Sequence, residues 1–429
     1  MSKSQRKIFC QQLASWFEAS EWHYTTLIAA SIESVVHLPD DVDELINDLL
    51  QAFPVKPELA LIDDFLQQQT RIKEWFAYSV DTPKSVVFNL RAPQVDTLTS
   101  IDLPVLATVG DLASWLGLSA TELDWLVEYK RRDKNTDKRL QHYHYSTVSK
   151  RRGGFRLIES PKSVLKQAQR QIHDIILSQL TIHSSAHGFR ENRSCRTHAQ
   201  LHIAKHYLFQ FDLAHCFQTI QWRQVYSIFL GLGYSKKVAQ YLTGLTTHRC
   251  HMENQLFHVL DEPQRKRLKQ RHLPQGAPSS PALSNAALYQ LDKRLQGLAQ
   301  SLHLQYSRYA DDMAFSGNTY RDWGFFAPLV GSICLEEGFE LNYRKSRCIK
   351  AHQRQKLTGI VVNQKINIDR RDYDQLKAIL TNCVRHGLES QNRAGRDDFR
   401  AYLLGKIHYV SSISHNKGGK LKTIFDRIH

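Results

Sequence analysis

The stretch LQYSRYADDMAFSG at residues 304–317 places two adjacent aspartates, Asp311 and Asp312, between two largely apolar runs. This pattern predicts two short strands joined by a tight turn at the acidic centre. Aspartate is disfavoured in strands, and adjacent like charges repel each other. A purely structural role therefore explains this pair of carboxylates poorly.

A third aspartate, Asp212, interrupts the run YLFQFDLAHCF at residues 207–217. The run has the alternation of a strand, with Tyr207, Phe209, Phe211 and Leu213 on one face. An isolated aspartate is more often a turn residue or a helix cap. Three carboxylates in apolar strands instead suit Mg²⁺, a hard ion that prefers oxygen ligands, and two such ions can clamp the oxygens of a phosphoryl transfer. The sequence therefore predicts a metal-dependent site at Asp212, Asp311 and Asp312.

These aspartates belong to an ordered series of motifs within roughly residues 140–365. Tyr309-Ala310-Asp311-Asp312 resembles the Tyr-x-Asp-Asp signature of reverse transcriptases, and the stretch around Asp212 resembles their first catalytic aspartate motif. LPQGAPSSPALSN (273–285) is similar to their nucleotide-pocket motif. AHGFRENRS (186–194) and KRRGGFRLIESPK (150–162) match their upstream motifs in order. The series is most similar to that of bacterial retron-type reverse transcriptases.

Two short motifs depart from the retron pattern. The retron sequence Asn-Ala-x-x-His corresponds here to His198-Ala199-Gln200-Leu201-His202, and Val-Thr-Gly corresponds to Leu357-Thr358-Gly359. The resemblance therefore leaves open that this chain is a relative of the retron enzymes that primes DNA synthesis in another way.

The resemblance implies roles for residues that match the family's motifs. Asp212, Asp311 and Asp312 are the catalytic residues and ligate two Mg²⁺ ions, with the carbonyl of Phe211 or Leu213 as an optional further ligand. Phe217, five residues after Asp212, blocks a ribose 2′-hydroxyl; the alternative is an ordinary core phenylalanine.

Further residues are implied to bind the incoming nucleotide or the nucleic acid. Gln275 and Gly276 line the nucleotide site. Arg156 pairs with the triphosphate, aided by Lys150 or Arg151, because its guanidinium fork can donate two hydrogen bonds to phosphate. Lys345 lies near the leaving pyrophosphate, with Arg344 or Arg347 as alternatives. The resemblance assigns nucleic-acid contacts to Tyr309, Thr358 and Gly359. The basic charge of the C-terminal segment adds Lys417, Lys420 and Lys422 to these contacts.

Charge along the chain is strongly uneven. The 57 basic and 42 acidic residues give a net charge of +15, yet residues 1–100 hold 8 basic and 14 acidic residues and residues 344–429 hold 19 and 7. A basic surplus favours a nucleic-acid partner, although a merely soluble basic protein is the alternative. We expect the C-terminal segment to grip a duplex or structured RNA and residues 1–100 to contact protein.

Composition excludes several classes of protein. With 42% hydrophobic and 23% charged residues, the 429-residue chain is globular rather than disordered. Its seven scattered cysteines indicate a reducing compartment, not a disulfide framework. The start has no signal peptide and no apolar run is long enough to cross a bilayer, so a cytoplasmic location is expected. Zinc is not expected, because no standard spacing occurs among His248, Cys250, His251, His258 and His272.

The predicted fold is an α+β right hand with an antiparallel palm sheet. We assign residues 1–135 to a helical N-terminal extension, 136–364 to fingers and palm, and 365–429 to a helical thumb, which leaves no room for a usual RNase H domain. Helices are predicted at 10–31, 40–53 and 109–132, the last with a Ser119–Glu122 capping box. A connector is expected at 82–106.

Two further local predictions concern the middle of the chain. A helix that begins at Pro161 is predicted, with one apolar side formed by Val164, Leu165, Ala168, Ile172, Ile175 and Ile176. KLTGIVVN (356–363) is predicted to be a single short strand.

The predicted activity is RNA-templated addition of deoxynucleotides to a 3′ end. Resemblance to retrons implies a dedicated structured RNA, an RNA–DNA hybrid, a role in antiphage defence and an effector protein. The alternatives are a non-retron defence reverse transcriptase with a protein or free primer, and a catalytically silent RNA-binding scaffold. The intact Asp212, Asp311, Asp312 and Phe217 argue against the scaffold.

Overall fold

The structure, a computed structural model, describes residues 10–11, 13–15, 17–18, 22–23, 27, 42–72, 103–127, 141–150, 153–250 and 259–428. Most of the predicted helix at 10–31 and of the connector at 82–106 lies outside these residues, as do Arg151, His251 and His258. The chain divides into two compact units. One comprises Met1–Leu103 with Leu335–Gly338, and the other Pro104–Cys334 with Phe339–His429.

The described secondary structure mixes helices with antiparallel strands, as expected for an α+β protein. The strands are β1 (Tyr143–Ser149), β2 (Phe155–Pro161), β3 (Tyr207–Asp212), β4 (Gln305–Tyr309), β5 (Asp312–Gly317), β6 (Arg347–Lys350), β7 (Lys356–Leu357), β8 (Ile360–Val361) and β9 (Asn367–Ile368). The α-helices with defined bounds are α1 (Val42–Ala52), α2 (Leu59–Gln68), α3 (Val109–Leu116), α4 (Ala120–Val127), α5 (Ser163–Gln171), α6 (Cys195–Gln200), α7 (Cys216–Thr219), α8 (Trp222–Gly231), α9 (Lys236–Thr246), α10 (Glu262–Leu268), α11 (Ser280–Ala287), α12 (Tyr289–Ser301), α13 (Trp323–Glu336), α14 (Arg370–His386), α15 (Phe399–Ile413) and α16 (His415–Phe425). Within the described residues, no helix combines the length and the apolar character that a bilayer crossing requires.

The first unit has its own apolar core. Helix α1 confirms the prediction at 40–53, and its periodic apolar residues are buried against α2. These residues are Leu45, Ile46, Leu49, Ile62 and Leu66. Arg71 forms ion pairs with Glu44 and Asp48 on α1, so the polar face of that helix also contacts the rest of the unit.

A four-stranded antiparallel sheet forms the centre of the second unit. Its strand order is β4-β5-β3-β6, with β3 hydrogen-bonded on one side to β5 and on the other to β6. Aromatic rings cover one face, where Phe211 and Phe315 of the sheet pack edge-on against Phe326 of α13. The two strands and tight turn predicted at 304–317 are confirmed as β4 and β5.

Helices α3 and α4 pack within the second unit. Tyr241 of α9 donates a hydrogen bond to Asp124 Oδ1 at 2.6 Å, and Arg271 Nη2 donates to the carbonyl of Val127 at 2.7 Å. The predicted capping box is confirmed, with Ser119 N donating to Glu122 Oε2 and Glu122 N donating to Ser119 Oγ. The boundary at residue 135 between extension and fingers stays a prediction.

The predicted helix after Pro161 differs from the prediction in two respects. Pro161 itself ends β2, and α5 is followed by a π-helical turn, Ile172–Ile176. Four of its apolar residues are buried: Leu165, Ala168, Ile172 and Ile176. The predicted burial of Val164 and Ile175 is wrong, since they are 49% and 39% exposed. Each lies one residue off the buried stripe, about 100° around the helix.

The prediction of one strand for KLTGIVVN is also wrong. The segment is a hairpin of β7 and β8, and β9 completes a three-stranded sheet. Thr358 and Gly359 form the turn with φ values of 45° and 91°, a conformation that breaks a strand. The helical prediction for the last 65 residues is confirmed by α14, α15 and α16, whose buried side chains share one core with the hairpin.

Candidate active site

Two strands position the predicted catalytic carboxylates. Asp212 ends β3 and lies directly opposite Asp312, the first residue of β5, in the antiparallel register. Asp311 precedes it in the turn, where Ala310 has a φ of 56°. Leu213 N donates to the carbonyl of Asp311 at 3.0 Å, which ties the turn to the end of β3. The structure thus brings together all three aspartates singled out in the sequence.

The electrostatics of this cluster favour an added cation. Desolvation and the neighbouring charges of Asp311 and Asp212 raise the pKa of Asp312 to about 7. Desolvation also raises the pKa of Asp212, although the Lys345 ammonium opposes this shift. The charges of Asp311 and Asp212 disfavour ionisation of Asp312, and a divalent cation would relieve that repulsion.

Lys345 is the basic residue that contacts the cluster. Its Nζ lies 2.7 Å from Asp212 Oδ2, and the side chain is 44% exposed. Of the two alternatives, Arg347 donates through Nε to Gln210 on β3 at 2.7 Å, and Arg344 is exposed. The contact with Asp212 therefore favours Lys345 as the basic residue that serves the reaction.

The donor set fits Mg²⁺. All three side chains offer hard carboxylate oxygens. Desolvation first, and the neighbouring carboxylates second, raise the pKa of Asp312, so a bound cation would stabilise its charged form. Among the described residues, the oxygens of the three aspartates do not form one set that lies within 4.8 Å of one another. Lys345, bound to one of these oxygens, competes with a metal for Asp212.

A buried ion pair supports the turn from beneath. Arg308, in β4, donates through Nε and Nη2 to the two carboxylate oxygens of Asp292 at 2.8 and 2.6 Å, and both side chains are fully buried. Its Nη1 donates to Asn285 Oδ1 at 3.1 Å and to the carbonyl of Ala310 at 2.9 Å. Sequence reasoning assigned no role to Arg308, Asp292 or Asn285, although Arg308 directly precedes the acidic motif and Asn285 ends LPQGAPSSPALSN.

The upstream motif AHGFRENRS meets the same turn through its backbone. Asn285 Nδ2 donates to the carbonyl of Gly188 at 2.9 Å, and His187 N donates to the carbonyl of Arg308 at 2.7 Å. A Cβ on Gly188 would lie 2.6 Å from the backbone nitrogen of Ala310. Only glycine permits this approach, so three motifs far apart in sequence pack at one point.

The predicted nucleotide-pocket residues lie beside β2. Glu159 N donates to the carbonyl of Gln275 at 2.9 Å. Gly276 has a φ of 137°, and a Cβ there would lie 2.8 Å from the Glu159 carbonyl oxygen. Arg156 lies on the same strand, and Lys150 directly follows β1; both side chains are exposed. The structure thus joins the Gln275–Gly276 loop to the strand that carries Arg156.

Phe217 is half-buried rather than enclosed in the core. It lies on the short helix α7, and its ring packs edge-on against Phe189 with the centroids 6.3 Å apart. Phe189 is 46% exposed. This accessible position favours the predicted contact with the sugar over an ordinary core role.

A chain of buried histidines lies behind Tyr309. Ser307 Oγ bridges His198 Nδ1 and His202 Nε2, each at 2.7 Å, and His202 Nδ1 lies 2.7 Å from Ser316 Oγ. Burial lowers the pKa of His202 to about 3, and the pKa of His198 is also well below its usual range. The His-Ala-x-x-His motif therefore contributes neutral rings that are hydrogen-bonded to both β4 and β5.

The predicted nucleic-acid contacts have different surroundings. Lys420 and Lys422 are exposed on α16, and Lys422 pairs with Asp426. Lys417 is half-buried: its Nζ donates to Asn367 Oδ1 at 3.0 Å and lies 5.0 Å from the centre of the Tyr373 ring. Thr358 and Gly359 form the β7–β8 turn, where a Cβ on Gly359 would lie 3.6 Å from the Tyr409 hydroxyl.

Comparisons with known proteins show which sequences and structures this chain is similar to. A family model described as reverse transcriptase (RNA-dependent DNA polymerase) matches residues 148–362. Retron Mx65 reverse transcriptase of Myxococcus xanthus is 35% identical over 321 residues, which cover 73% of this chain and 72% of that protein. Retron Ec86 reverse transcriptase of Escherichia coli is 29% identical over 334 residues, or 77% and 92% of the two chains. A solved structure of the foamy viral protease-reverse transcriptase dRH with double-stranded DNA has a TM-score of 0.35 at 17% identity, and the match covers 63% of this chain and 36% of that one.

Proposed function

This chain belongs to the reverse transcriptase family, and from that premise we propose that it copies part of a dedicated structured RNA into DNA as the polymerase of a retron in antiphage defence. Its activity is that of an RNA-directed DNA polymerase with the right-hand fold. The RNA, its partial copying and the defence role are the further parts of the proposal.

The observation that carries the polymerase part of the proposal is the register between Asp212 and Asp312. It brings together two carboxylates that are 100 positions apart in sequence, with Asp311 beside them in a turn held by Arg308. Mg²⁺ is the proposed metal, held by Asp212, Asp311 and Asp312, and when bound it would stabilise the attacking and leaving oxygens of the transfer.

The other residues have roles that follow from their positions. Lys345, at the rim of the carboxylate cluster, offers positive charge to a departing pyrophosphate. Arg156 and Lys150 offer exposed cations on the β1–β2 hairpin for the triphosphate. The half-buried ring of Phe217 restricts the space beside the sugar and so selects deoxynucleotides.

The nucleic acid is proposed to be held by its backbone and shape. A polymerase must copy any sequence, so contacts to phosphate and sugar suit it better than contacts to base edges. The basic C-terminal segment, with 19 basic and 7 acidic residues in 344–429, supports this role. The proposed location is the reducing cytoplasm, which the scattered spacing of the seven cysteines supports.

Two alternatives differ from the retron proposal in testable ways. A defence reverse transcriptase with a protein or free primer would make DNA that is not joined to one dedicated RNA. A silent scaffold would bind RNA and make no DNA. The relatives named as retron enzymes support the retron proposal, and a structured-RNA gene directly upstream of the coding sequence would support it further.

Sequencing of the copurifying nucleic acid tests the proposal. The native protein and its Asp311→Asn variant are purified alongside, and RNA and DNA are sequenced separately. We expect one structured RNA with both proteins, and DNA complementary to part of it with the native protein alone. DNA from many templates would favour the other priming scheme, and RNA without DNA in both samples would favour the scaffold. Phage plating on cells that carry the operon then tests defence, with the same variant as control.

A further inference from the structure

Three buried side chains outside the catalytic cluster converge to form a compact donor set. Glu159 of β2, His248 and Cys250 each offer one ligand atom, and these atoms all lie within 4.8 Å of one another. Their exposed fractions are 0%, 2% and 2%. Zinc was not expected from the histidine- and cysteine-rich sequence, because the donor that completes this set lies 89 residues before His248.

We propose that Glu159, His248 and Cys250 bind a divalent metal ion of the zinc class. Zinc accepts thiolate, imidazole and carboxylate donors at about 2.0–2.3 Å in a tetrahedral arrangement. In such a tetrahedron the donors are about 3.4–3.6 Å apart, so no pair of donor atoms has to approach by more than about 1.4 Å. Mg²⁺, which prefers oxygen ligands alone, suits the catalytic aspartates and not this sulphur-containing set.

A buried carboxylate oxygen is the second observation that points to a ligand. Glu159 Oε1 is buried and has no hydrogen-bond partner among the described residues. Such a polar atom costs free energy unless it is paired or bound to a cation. The other oxygen, Oε2, accepts a hydrogen bond from His272 Nε2 at 3.0 Å. Glu159 therefore has one oxygen oriented by the protein and one available to a metal.

Neighbouring residues orient the proposed ligands. His272 is held by its Nδ1, which lies 2.8 Å from the carbonyl oxygen of Gln270, and so it is a positioning residue for Glu159. The His248 ring stacks on Tyr143 with the centroids 3.9 Å apart, and its Nε2 lies 2.6 Å from the Tyr145 hydroxyl. Ligands with such supporting contacts are pre-organised, which raises metal affinity.

Binding requires that Cys250 lose its proton. Burial, together with the negative charge of Glu159, raises the pKa of the Cys250 thiol, so the thiol is protonated before the metal arrives. The S–H bond breaks, a sulphur–metal bond forms, and one proton is released to the solvent, with no change in oxidation state. Metal affinity should therefore fall as the pH is lowered.

A metal ion at this site would stabilise the packing of the Gln275–Gly276 loop against β2. Glu159 N donates to the carbonyl of Gln275, and Gly276 packs against the Glu159 carbonyl. His272 N and His248 N exchange backbone hydrogen bonds at 2.9 Å with each other's carbonyls. An ion bound to Glu159, His248 and Cys250 would thus join β2 to both segments and act as a structural metal rather than as a catalytic one.

Cobalt substitution tests the site in the full chain. Metal-free protein is titrated with Co²⁺ in the presence of excess Mg²⁺, and thiolate-to-Co²⁺ charge-transfer absorption and proton release are recorded. We expect one equivalent to bind, to produce the absorption and to release about one proton. Zn²⁺ should displace the Co²⁺, and Co²⁺ bound by aspartates alone would give no thiolate absorption. Absence of the absorption in the native protein would overturn the proposal, whatever any variant does.

Variants locate the thiolate. Cys250→Ser should abolish the absorption, whereas Cys216→Ser should retain it; Cys216 is also buried and lies close to the catalytic carboxylates. Glu159→Gln should weaken Co²⁺ binding by at least tenfold and keep the absorption at high Co²⁺. If Cys250→Ser does not fold, the proposal is tested by the thiolate absorption of the native protein and by the Co²⁺ affinity of Glu159→Gln. Retention of the absorption in folded Cys250→Ser would refute the assignment.

Discussion

Arg308 and Asp292 form an ion pair in which both side chains are fully buried, with Nη2 and Oδ2 2.6 Å apart. The same guanidinium donates to the carbonyl of Ala310, the residue immediately before Asp311. Helix α12, which carries Asp292, is thereby connected to the catalytic turn. The pair supports a strained turn whose Ala310 has a positive φ.

Breaking this pair should harm both stability and activity. Asp292→Asn leaves Arg308 buried without a counter-charge, and we expect a loss of about 3–5 kcal/mol in the free energy of unfolding. DNA synthesis should fall as well, because the Ala310 carbonyl loses a firmly held donor. Urea unfolding and primer extension measure the two effects. As a control, Glu340→Gln alters the exposed pair with Arg267 and should cost less than about 1 kcal/mol.

A double variant separates the two effects. Asp292→Leu with Arg308→Met replaces the pair by apolar side chains, which is often neutral or stabilising in a core. Stability should recover only in part, because the buried Tyr306 hydroxyl loses the bond that it donates to Asp292 Oδ1. DNA synthesis should stay low, because nothing replaces the hydrogen bond to Ala310. Full recovery of synthesis would show that the pair serves stability alone.

Asp311→Asn should abolish DNA synthesis and leave folding and RNA binding nearly intact. The carboxylate is partly exposed in a turn and does not form part of the core, so its loss removes a metal ligand and little packing. Primer extension with Mg²⁺, thermal unfolding and RNA affinity are the measurements. Asp174→Asn, at a carboxylate that is 70% exposed, is the matched control and should polymerise normally. Normal synthesis by Asp311→Asn would refute the active-site assignment.

Phe217→Ala should admit ribonucleotides. Removal of the half-buried ring opens space for a 2′-hydroxyl, so the ratio of deoxyribonucleotide to ribonucleotide incorporation efficiency should fall by at least tenfold. Phe229→Ala is the control: that ring is fully buried, and its loss should cost about 3–5 kcal/mol without a change in sugar selection. An unchanged ratio in folded Phe217→Ala would exclude contact with the sugar.

His202 should make the protein sensitive to acid. Its pKa is about 3 in the fold and about 6.5 in the unfolded chain, so only the unfolded chain takes up a proton as the pH falls from 6.5 to 3. The contribution of neutral His202 to the free energy of unfolding is therefore complete above pH 6.5. It is lost as the pH falls from 6.5 to 3, by up to about 1.4 kcal/mol per pH unit.

Two variants test this dependence by urea unfolding between pH 7.5 and 4.5. His202→Gln should be less stable at pH 7.5 by about 1–3 kcal/mol, because Ser307 and Ser316 lose a partner, yet its stability should fall less steeply with acid. Ser316→Ala removes one hydrogen bond and keeps the titrating ring, so it should retain the native slope. Equal slopes in His202→Gln and the native protein would contradict the prediction.

The C-terminal lysines should contribute to salt-dependent RNA binding. Lys420→Glu with Lys422→Glu should weaken affinity and reduce the slope of log affinity against log salt by about 0.7–0.9 for each phosphate that is no longer neutralised. Lys417 is left unchanged because it contacts Asn367 and Tyr373 within the fold. Lys56→Glu, at an exposed site in the acidic N-terminal part, should leave the slope unchanged. A reduced slope in Lys56→Glu, together with an unchanged slope in the Lys420→Glu and Lys422→Glu double variant, would place the binding surface in the N-terminal part.

Local patterns in the sequence predicted the elements that depend on neighbouring residues. The acidic pair in a turn, the strand that ends at Asp212 and the Ser119–Glu122 cap all follow from spacing within about ten residues. The order of five motifs indicated the family before any contact was known. Such features can be predicted because backbone periodicity and capping are short-range effects.

Only the tertiary structure decided which distant side chains meet. Arg308 and Asp292 are buried together because β4 packs against α12, and Glu159 reaches His248 and Cys250 because β2 packs beside the loop that follows α9. The Thr358–Gly359 turn likewise converts a predicted strand into a hairpin that packs with the C-terminal helices. Burial, and hence the energy of a charge or a metal ligand, depends on what the rest of the chain places around it. A linear pattern of residues does not contain that information.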